Sequence, residues 1–344
     1  MKNQSVFFPT LVVIVLAFCS CSNKSNEAAK EKSLSYFVNS QQGIQTGGVK
    51  MISIETPKGK FNVWTKRFGN NPSTKVLLLN GGPGITHEVF ECLENFFPKE
   101  GIEFIYYDQL ACGNSDNPND TSLFDLARYV EEVEQVRMAL QLDKNNFFLL
   151  GHSWGGILAM QYALKYQGNI KGLIISNMMA SCPEYGKYAN EVLAKQMNPA
   201  VLDTIQMIEK KGDFENPKYM ELLIANYYGQ HICRMPPAEV PEPILRSGRK
   251  TNQQLYVTMQ GPSEFGISGK LTNWDVSHEL KNIHVPTLVI AGTYDTMDPK
   301  YMEWMSKEIP GGQFLLCTKG SHYSMYDDQQ TYMKGLIKFI KAIN

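Results

Sequence analysis

The stretch Leu149-Leu150-Gly151-His152-Ser153-Trp154-Gly155-Gly156 constrains the fold of this chain more than any other. Residues 147–150 form a short apolar run typical of a buried strand, and residues 157–166 have the pattern of a helix. The chain therefore passes from strand to helix through a sharp Gly-x-Ser-x-Gly turn, which exposes the serine beside a helix N-terminus. We interpret Ser153 as a nucleophile; the alternative is an ordinary tight turn between a strand and a helix.

Seven further segments have the pattern of strands, and most of them are apolar throughout. They are residues 51–55, 61–68, 76–79, 103–107, 172–176, 287–291 and 314–317. The first two segments each have the alternating pattern of a strand, and they flank the turn Pro57-Lys58-Gly59. This arrangement predicts an antiparallel hairpin. Helical patterns at 123–140 and 331–343 accompany the later strands. Strands that alternate with helices and have apolar interiors indicate a mainly parallel sheet covered by helices on both faces, with function at the carboxyl ends of the strands.

Between residues 181 and 278 the pattern changes to helical segments interrupted by proline and glycine. This region is too long for a connecting loop, so we expect a helical cap that lies over the strand ends. The α/β core would then comprise residues 46–180 and 279–344. A cap in this position would form one wall of the pocket and select the substrate.

The N-terminal 21 residues have the features of an export signal. Met1-Lys2 precedes an apolar run at residues 6–18, which is too short to span a bilayer as a helix. Ser20 directly before Cys21 resembles the cleavage site of bacterial lipoproteins, so Cys21 is the predicted lipidation site. Cys19 is a competing candidate, and an ordinary secretory signal is the alternative. Residues 22–45 are polar and predict a flexible tether, so we expect an exported lipoprotein anchored at the outer membrane or facing the periplasm.

Charge and cysteine content exclude several kinds of ligand. The chain has 33 Lys and Arg against 34 Asp and Glu, with no long basic run, so neither nucleic acid nor an anionic lipid surface is an expected partner. We expect membrane contact through the lipid alone. The cysteines after residue 21 have neither Cys-x-x-Cys nor Cys/His metal spacing, and their odd number excludes complete pairing among themselves. They are Cys92, Cys112, Cys182, Cys233 and Cys317. We expect neither a metal nor a cofactor.

A nucleophilic serine requires a histidine base and a carboxylate that orients the histidine. In α/β-hydrolases these residues follow one another in the chain as Ser, then Asp or Glu, then His. Asp295 lies in the loop after the apolar run 288–292, and we expect it to be the acid, with Asp298 as the reserve candidate. His322 follows the last predicted strand and is the expected base; the alternative is a histidine in a surface loop.

The loop Gly81-Gly82-Pro83-Gly84 is the candidate oxyanion hole. Glycines let the backbone approach a tetrahedral intermediate closely. The N–H groups of Gly82 and of Trp154, the residue after the nucleophile, would supply two hydrogen-bond donors. The alternative is a simple turn of glycine and proline.

Taken together, these motifs resemble the proline iminopeptidases, a family that includes the tricorn-interacting aminopeptidases of archaea. The resemblance runs from about residue 52 to the C-terminus and extends into the predicted cap. The matching motifs are Asn80-Gly81-Gly82-Pro83-Gly84, Asp108-Gln109-x-x-Cys112-Gly113-x-Ser115, the serine turn, Tyr294-Asp295, Gly320-Ser321-His322, Glu215-Asn216-Pro217-x-Tyr219-x-Glu221 and Gly261-Pro262-Ser263-Glu264-Phe265. The resemblance implies an α/β-hydrolase fold and an aminopeptidase that removes one N-terminal residue, often proline, from short peptides.

An enzyme of this kind must recognise an ammonium group in a partly dry pocket, and a buried cation needs a counter-charge. Glu221 and Glu264 match the amine-binding acids of the family; the alternative places them on a solvated surface of the cap. The chain departs from the family at four positions outside the predicted triad. Asn80 replaces a histidine, Leu110 an arginine, His152 a glycine and Gly156 a serine.

The sequence therefore predicts a serine aminopeptidase that releases proline, or another small or apolar residue, from short peptides with a free N-terminus. Two alternatives remain open at this point. One is an esterase or amidase of the same fold that does not require a free amine, and the other is a non-catalytic peptide-binding lipoprotein. An epoxide hydrolase or dehalogenase would need an aspartate in place of Ser153.

Overall fold

The computed structural model describes residues 48–343, and an eight-stranded sheet forms its centre. The predicted signal segment, Cys21 and the tether at 22–45 lie outside the described residues. The strands are β1 (Val49–Thr56), β2 (Gly59–Phe68), β3 (Lys75–Leu79), β4 (Glu103–Asp108), β5 (Phe147–His152), β6 (Gly172–Ser176), β7 (Thr287–Gly292) and β8 (Gln313–Cys317). Their order across the sheet is β1-β2-β4-β3-β5-β6-β7-β8. The pairs β1–β2 and β2–β4 are antiparallel, and all the others are parallel.

The α-helices cover both faces of the sheet or belong to an insertion between β6 and β7. They are α1 (Leu126–Ala139), α2 (Trp154–Tyr166), α3 (Cys182–Tyr188), α4 (Pro199–Lys211), α5 (Pro217–Leu223), α6 (Gly229–His231), α7 (Glu242–Arg249), α8 (Gln253–Met259), α9 (Pro299–Glu308), α10 (Ser324–Asp327) and α11 (Gln329–Ile343). Helices of the 3-10 type lie at His87–Asn95, Pro98–Glu100, Thr121–Leu123, Gln167–Asn169, Ala194–Gln196, Pro237–Glu239 and Ser277–Asn282. Ala189–Leu193 and Ile224–Tyr228 are π-helical.

Two apolar clusters form the core, one on each face of the sheet. Alternate side chains of a strand point to opposite faces, so Leu77 and Leu149 join one cluster while Leu78 and Phe148 join the other. Helices α1, α2 and α9 pack on the first face, and α11 packs on the second with the 3-10 helix His87–Asn95. Every residue of β4, β5, β6 and β7 is buried, as expected for strands that are covered on both sides.

The insertion between β6 and β7 is helical and contains α3 to α8. It spans the region that the sequence predicts to be a cap. A separate apolar cluster that includes Leu193, Ile205 and Tyr219 stabilises it. At its base, an isolated antiparallel bridge pairs Ser181 with Asp275, so the outgoing and returning segments meet where the insertion joins the core.

Within residues 48–343, no helix is both long enough and apolar enough to cross a bilayer. The five cysteines of this region carry free thiols, and all except the half-buried Cys233 are buried. Desolvation raises the pKa of the Cys92 thiol to about 12, so this side chain is a neutral thiol at physiological pH.

Candidate active site

Ser153 lies in the turn between β5 and α2, with φ of 55° and ψ of −123°. Few residues other than glycine adopt a positive φ, and the glycines on either side make the turn possible. A Cβ at Gly151 would lie 1.9 Å from the carbonyl oxygen of Gly155, and one at Gly155 would lie 2.0 Å from that of Leu79. The strand and the helix therefore pass too closely for any larger residue. The turn holds Ser153 at the carboxyl end of β5, where it faces a cavity.

The structure brings His322 and Asp295 together at the carboxyl ends of β7 and β8. Asp295 is fully buried, and its Oδ1 lies 2.8 Å from Nδ1 of His322. When Nδ1 carries the proton, its N–H donates a hydrogen bond to this carboxylate. Nε2 is then the basic nitrogen of the neutral ring. The reserve candidate Asp298 has a different role. Its Oδ1 accepts a hydrogen bond from the backbone N–H of Lys300 at 2.9 Å and caps α9.

Opposing effects act on the protonation of the two buried histidines. Burial by itself lowers the pKa of His322. Three contributions outweigh burial and raise this pKa above its ordinary value: the charge of Asp295, the hydrogen bond between Asp295 and the ring, and the charge of Glu264. The pKa of His152 lies well below its usual range because of burial and because of the nearby His322. His152 is therefore a neutral ring beside a base that readily takes up a proton.

The glycine loop after β3 approaches the nucleophile closely. A Cβ at Gly81 would lie 3.1 Å from Cβ of Ser153, and one at Gly82, whose φ is 105°, would lie 2.8 Å from the backbone nitrogen of Gly84. Trp154 is the first residue of α2, so its N–H belongs to the unpaired donors of the helix N-terminus. Its indole N–H donates to Oε1 of Gln109 at 2.8 Å, which fixes the side chain.

A cavity of about 810 Å³ connects these groups with the helical insertion. Its lining residues come from the core loops and from the insertion. They are Gly81, Gly82, Ile85, Val89, His152, Ser153, Gly212, Phe214, Glu215, Met220, Tyr228, Ile232, Thr251, Gln253, Tyr256, Val257, Pro262, Glu264, His322 and Tyr323. The catalytic end is buried, whereas Phe214 and Val257 are 40% and 49% exposed and lie at the rim. The lining contains two carboxylates and neither lysine nor arginine, so the cavity favours a cation.

Glu264 is the half-buried carboxylate of this cavity. Its Oε1 accepts a hydrogen bond from the hydroxyl of Tyr256 at 2.5 Å. Its backbone N–H donates a hydrogen bond to the hydroxyl of Tyr228 at 3.0 Å. Its carbonyl oxygen accepts a hydrogen bond from the hydroxyl of Tyr185 at 2.6 Å. Burial raises the pKa of Glu264, while His322 and the Tyr256 hydrogen bond oppose the rise. Tyrosines thus fix this acid in the wall of the cavity.

The structure does not bring Glu221 to the site, which corrects the prediction for this residue. Glu221 is exposed on α5 and is absent from the cavity lining. The buried residues of α5 are Tyr219 and Leu223, which pack into the apolar cluster of the insertion. Glu221 lies two positions from each of them, so its side chain points to the opposite side of the helix, toward solvent. The other carboxylate of the lining is that of Glu215, from the loop before α5.

Two polar residues of the site are not apparent from the sequence motifs. Asn177 directly follows β6, and its amide nitrogen lies 2.7 Å from Oδ2 of Asp295. Its position at the carboxyl end of a central strand is a signal that could have identified it. Tyr256 lies in a short helix of the insertion, and its sequence neighbourhood gives no comparable signal. Within the described range of 48–343, no group of three His, Cys, Asp or Glu side chains could hold a metal ion.

Comparison with known proteins places this geometry in a family. Residues 74–204 match the family model of the α/β hydrolase fold. The proline iminopeptidase of Flavobacterium johnsoniae is 58% identical over 294 residues, which cover 86% of this chain and 98% of the relative. That of Saccharolobus solfataricus is 34% identical over 285 residues, covering 82% of this chain and 90% of the relative.

Solved structures confirm the fold. The crystal structure of proline iminopeptidase from Mycobacterium smegmatis superposes with a TM-score of 0.74 at 26% identity, covering 85% of this chain and 98% of that chain. The crystal structure of VinJ gives a TM-score of 0.79 at 24% identity, covering 86% of this chain and 99% of that chain. The predicted fold and family are thus both confirmed: the chain belongs to the proline iminopeptidase family and has the α/β-hydrolase fold.

Proposed function

We propose that this protein is a serine aminopeptidase that releases the N-terminal residue, proline or another small or apolar residue, from short peptides. One observation carries the proposal. A single cavity contains Ser153 and His322 at its buried end and the carboxylate of Glu264 in its wall. A nucleophile and an ammonium counter-charge in one enclosed space select the first peptide bond of a chain with a free N-terminus.

The reaction begins at the carbonyl carbon of the first residue. Ser153 Oγ attacks this carbon while Nε2 of His322 takes the hydroxyl proton. Asp295 accepts the Nδ1–H hydrogen bond and stabilises the imidazolium that forms. When the C–N bond breaks, His322 returns the proton to the leaving amine. Water then attacks the acyl-enzyme with His322 again as base, and the free amino acid leaves while the proton returns to Ser153.

The negative charge on the substrate oxygen needs preorganised donors. The backbone N–H groups of Gly82 and Trp154 supply them, because the glycine loop lies against the serine turn, where a Cβ at Gly81 would be 3.1 Å from Cβ of Ser153. Loss of one such donor typically costs about 3–4 kcal/mol of transition-state stabilisation.

The substrate ammonium binds at Glu264. Tyr256 occupies one acceptor site of Oε1, so the carboxylate keeps free acceptor sites, including both of those on Oε2, for the substrate N–H groups. An acetylated N-terminus carries no charge and has two N–H groups fewer than the ammonium, and it adds an acyl group to the amine site. Such a substrate therefore loses the interaction with Glu264.

Hydrolysis of a panel of aminoacyl-arylamides tests the proposal, using protein that lacks residues 1–21. Prolyl and alanyl compounds are each supplied with a free and an acetylated amine, and Ser153→Ala is the control for contaminating activity. Cleavage confined to free amines, and absent in Ser153→Ala, supports the aminopeptidase. Comparable cleavage of acetylated compounds would overturn it in favour of an amidase or esterase of the same fold.

We also propose that the protein is exported and that a lipid on Cys21 anchors it at the outer membrane or on the periplasmic side. The support is the apolar run at 6–18, the Ser20-Cys21 pair and the polar segment at 22–45. A tether of this composition would let the enzyme reach peptides near the membrane.

A further inference from the structure

Asn177 is a fully buried polar residue that follows β6 at the edge where the catalytic loops meet. Its φ of 53° lies in the left-handed region, which asparagine tolerates better than most residues. On the basis of the proposed function, we propose that Asn177 is a positioning residue that holds one carboxylate oxygen of Asp295 so that the other faces His322.

The two oxygens of Asp295 have separate partners. Oδ1 lies 2.8 Å from Nδ1 of His322 and accepts a hydrogen bond from the backbone N–H of Met297 at 3.2 Å. Oδ2 accepts a hydrogen bond from the amide of Asn177 at 2.7 Å. A hydrogen bond to a charged, buried oxygen is stronger than one between neutral groups, and its removal leaves that oxygen unsatisfied. The Asn177 amide therefore fixes the rotation of the carboxylate about its Cβ–Cγ bond.

The same amide also contacts the loop that carries the base. Nδ2 of Asn177 lies 3.2 Å from the carbonyl oxygen of Ser321, the residue before His322, and 3.1 Å from Oγ of Ser324. One side chain at the end of β6 thus connects the loop after β7 with the loop after β8. The relative placement of acid and base depends on this connection, because the two loops belong to different strands.

A hydrogen-bond chain behind Asn177 fixes the orientation of its amide. The hydroxyl of Tyr332 donates to Oγ of Ser176 at 3.0 Å, and Ser176 donates to Oδ1 of Asn177 at 2.9 Å. The reversed orientation would place the amide oxygen against Asp295 and against the carbonyl of Ser321, which are both acceptors. The amide nitrogen must therefore face the acid.

Asn177 donates hydrogen bonds without adding charge to a region that already contains many titratable groups. The groups whose protonation responds to the charge of Asp295 are His322, His231, Glu264, Asp327, Tyr188, Tyr227 and Cys317. A carboxyl at position 177 would keep the size of the side chain but would add a titratable group beside Oδ2 of Asp295.

Asn177→Asp is the first test variant. It keeps the side-chain size, and aspartate, like asparagine, tolerates this backbone conformation. Its carboxyl would lie beside Oδ2 of Asp295, and two carboxylates this close share one proton, so residue 177 can donate to the acid only while that proton is bound. Loss of the shared proton replaces the hydrogen bond with repulsion, so we expect the alkaline fall of kcat/KM to begin at a lower pH than in the wild type. KM for a free prolyl arylamide should change less than about twofold, since Asn177 is absent from the cavity lining.

Asn177→Gly is the second variant, because it permits the positive φ but removes the amide. We expect kcat to fall by roughly tenfold to a hundredfold as the acid and base lose their alignment. Asn119→Gly is the matched control. It makes the same substitution at another left-handed position, with φ of 52°, in an exposed residue outside the cavity lining, so kcat should stay within about threefold of the wild type.

Rates are expressed per active site, titrated with a serine-directed fluorophosphonate, so that unfolded protein does not contribute. An unshifted alkaline limb in Asn177→Asp, or wild-type kcat in Asn177→Gly, would overturn the proposal. Rates of fluorophosphonate labelling test the positioning role of Asn177 separately from the proposed aminopeptidase activity. If the wild type cleaves no free-amine substrate but labelling still depends on residue 177 in the expected way, the proposed substrate is wrong and the positioning role remains.

Discussion

At the scale of single residues, the site depends on a few backbone positions that permit only particular side chains. Ser153 adopts a conformation that costs of order 1–3 kcal/mol, and the packing of β5 against α2 maintains it. Gly151 and Gly155 are required because a Cβ at either position would lie 2.0 Å or less from a carbonyl oxygen. The motif is thus readable from the sequence, since its chemistry and its sterics both fall on neighbouring residues.

The two glutamates predicted to bind the amine should behave differently when neutralised. Glu264→Gln should lower kcat/KM for a free prolyl arylamide by about 3 kcal/mol, or more than a hundredfold, because the substrate ammonium loses its counter-charge inside the cavity. Glu221→Gln is the matched control. It lies on the exposed side of α5, and its kcat/KM should stay within about 0.5 kcal/mol of the wild type. An effect of Glu264→Gln as small as the one expected for Glu221→Gln would remove Glu264 from the amine site.

The pKa shifts of His322 and Glu264 predict how activity depends on pH. His322 must be neutral to accept the serine proton, and Glu264 must be ionised to bind the ammonium. Both pKa values are raised, so activity should increase with pH, and the acidic limb of kcat/KM should lie above pH 6.5, the ordinary value for histidine. A pH–rate profile of the wild type checks this expectation. A limb centred below 6.5 would contradict the raised pKa of His322.

At the scale of secondary-structure elements, the insertion is tied to the core by polar contacts as well as by apolar packing. The carbonyl oxygen of His231 accepts a hydrogen bond from the backbone N–H of His322 at 2.9 Å. Nδ1 of His231 lies 2.8 Å from the carbonyl oxygen of Tyr294, next to the catalytic acid. The insertion therefore supports the two loops that carry the acid and the base, and it contributes to the geometry of the site as well as to the cavity wall.

A second connection joins the 3-10 helix His87–Asn95 to α7 and the residue after it. Glu88 pairs with Lys250, and it lies 3.6 Å from Nε of Arg246. Burial alone raises the pKa of Glu88, but the hydrogen bonds from Lys250 and Thr86 and the charge of His87 lower it to about 2. Glu88 is therefore ionised at neutral pH and attaches the insertion to the core electrostatically.

Glu88→Gln should lower the free energy of unfolding by about 1–2 kcal/mol at pH 7, a modest value because Lys250 is 46% exposed and solvent screens the pair. The pKa is depressed in the folded state, so this stabilisation is complete above about pH 4.5 and is lost as the pH falls toward 2. Urea unfolding of both proteins across this range measures the difference. Glu242→Gln, which removes an exposed partner of Arg246, should cost less than about 0.5 kcal/mol.

At the scale of the whole molecule, the parallel sheet gathers residues that are far apart in the chain. The glycine loop, Ser153, Asp295 and His322 each follow the carboxyl end of a different strand, and these ends meet at one edge of the sheet. The helical insertion encloses this edge and turns it into a cavity. The chemistry therefore belongs to the core, and much of the cavity wall belongs to the insertion.

The predicted anchor concerns the complete chain in its cell. The wild-type protein should incorporate labelled palmitate and sediment with membranes, because a diacylated N-terminal cysteine is held in the bilayer. Cys21→Ser should abolish both properties, whereas Cys19→Ser should leave them intact. A soluble, unlabelled wild-type protein would overturn the lipoprotein proposal in favour of an ordinary secretory signal, and loss of label in Cys19→Ser alone would move the lipid to Cys19.

The sequence by itself determined the strands, the serine turn, the positions of the acid and the base, and the place of the insertion. Each of these follows from a local pattern combined with the rule that parallel strands bring their carboxyl ends together. Only the tertiary structure decided which acids face the cavity. Glu221 and Glu264 both occur in segments that match the family, but the packing of Tyr219 and Leu223 turns Glu221 toward solvent.

Asn177 and Tyr256 likewise became visible only when distant segments met. The partners of the Asn177 amide nitrogen lie 118 to 147 residues away in the chain, so no local pattern identifies them. Tyr256 contacts Glu264 because a short helix and a loop of the insertion fold against each other. Local sequence encodes the shape of an element, whereas the direction of each helix face depends on side-chain packing between elements, which has no fixed period along the chain.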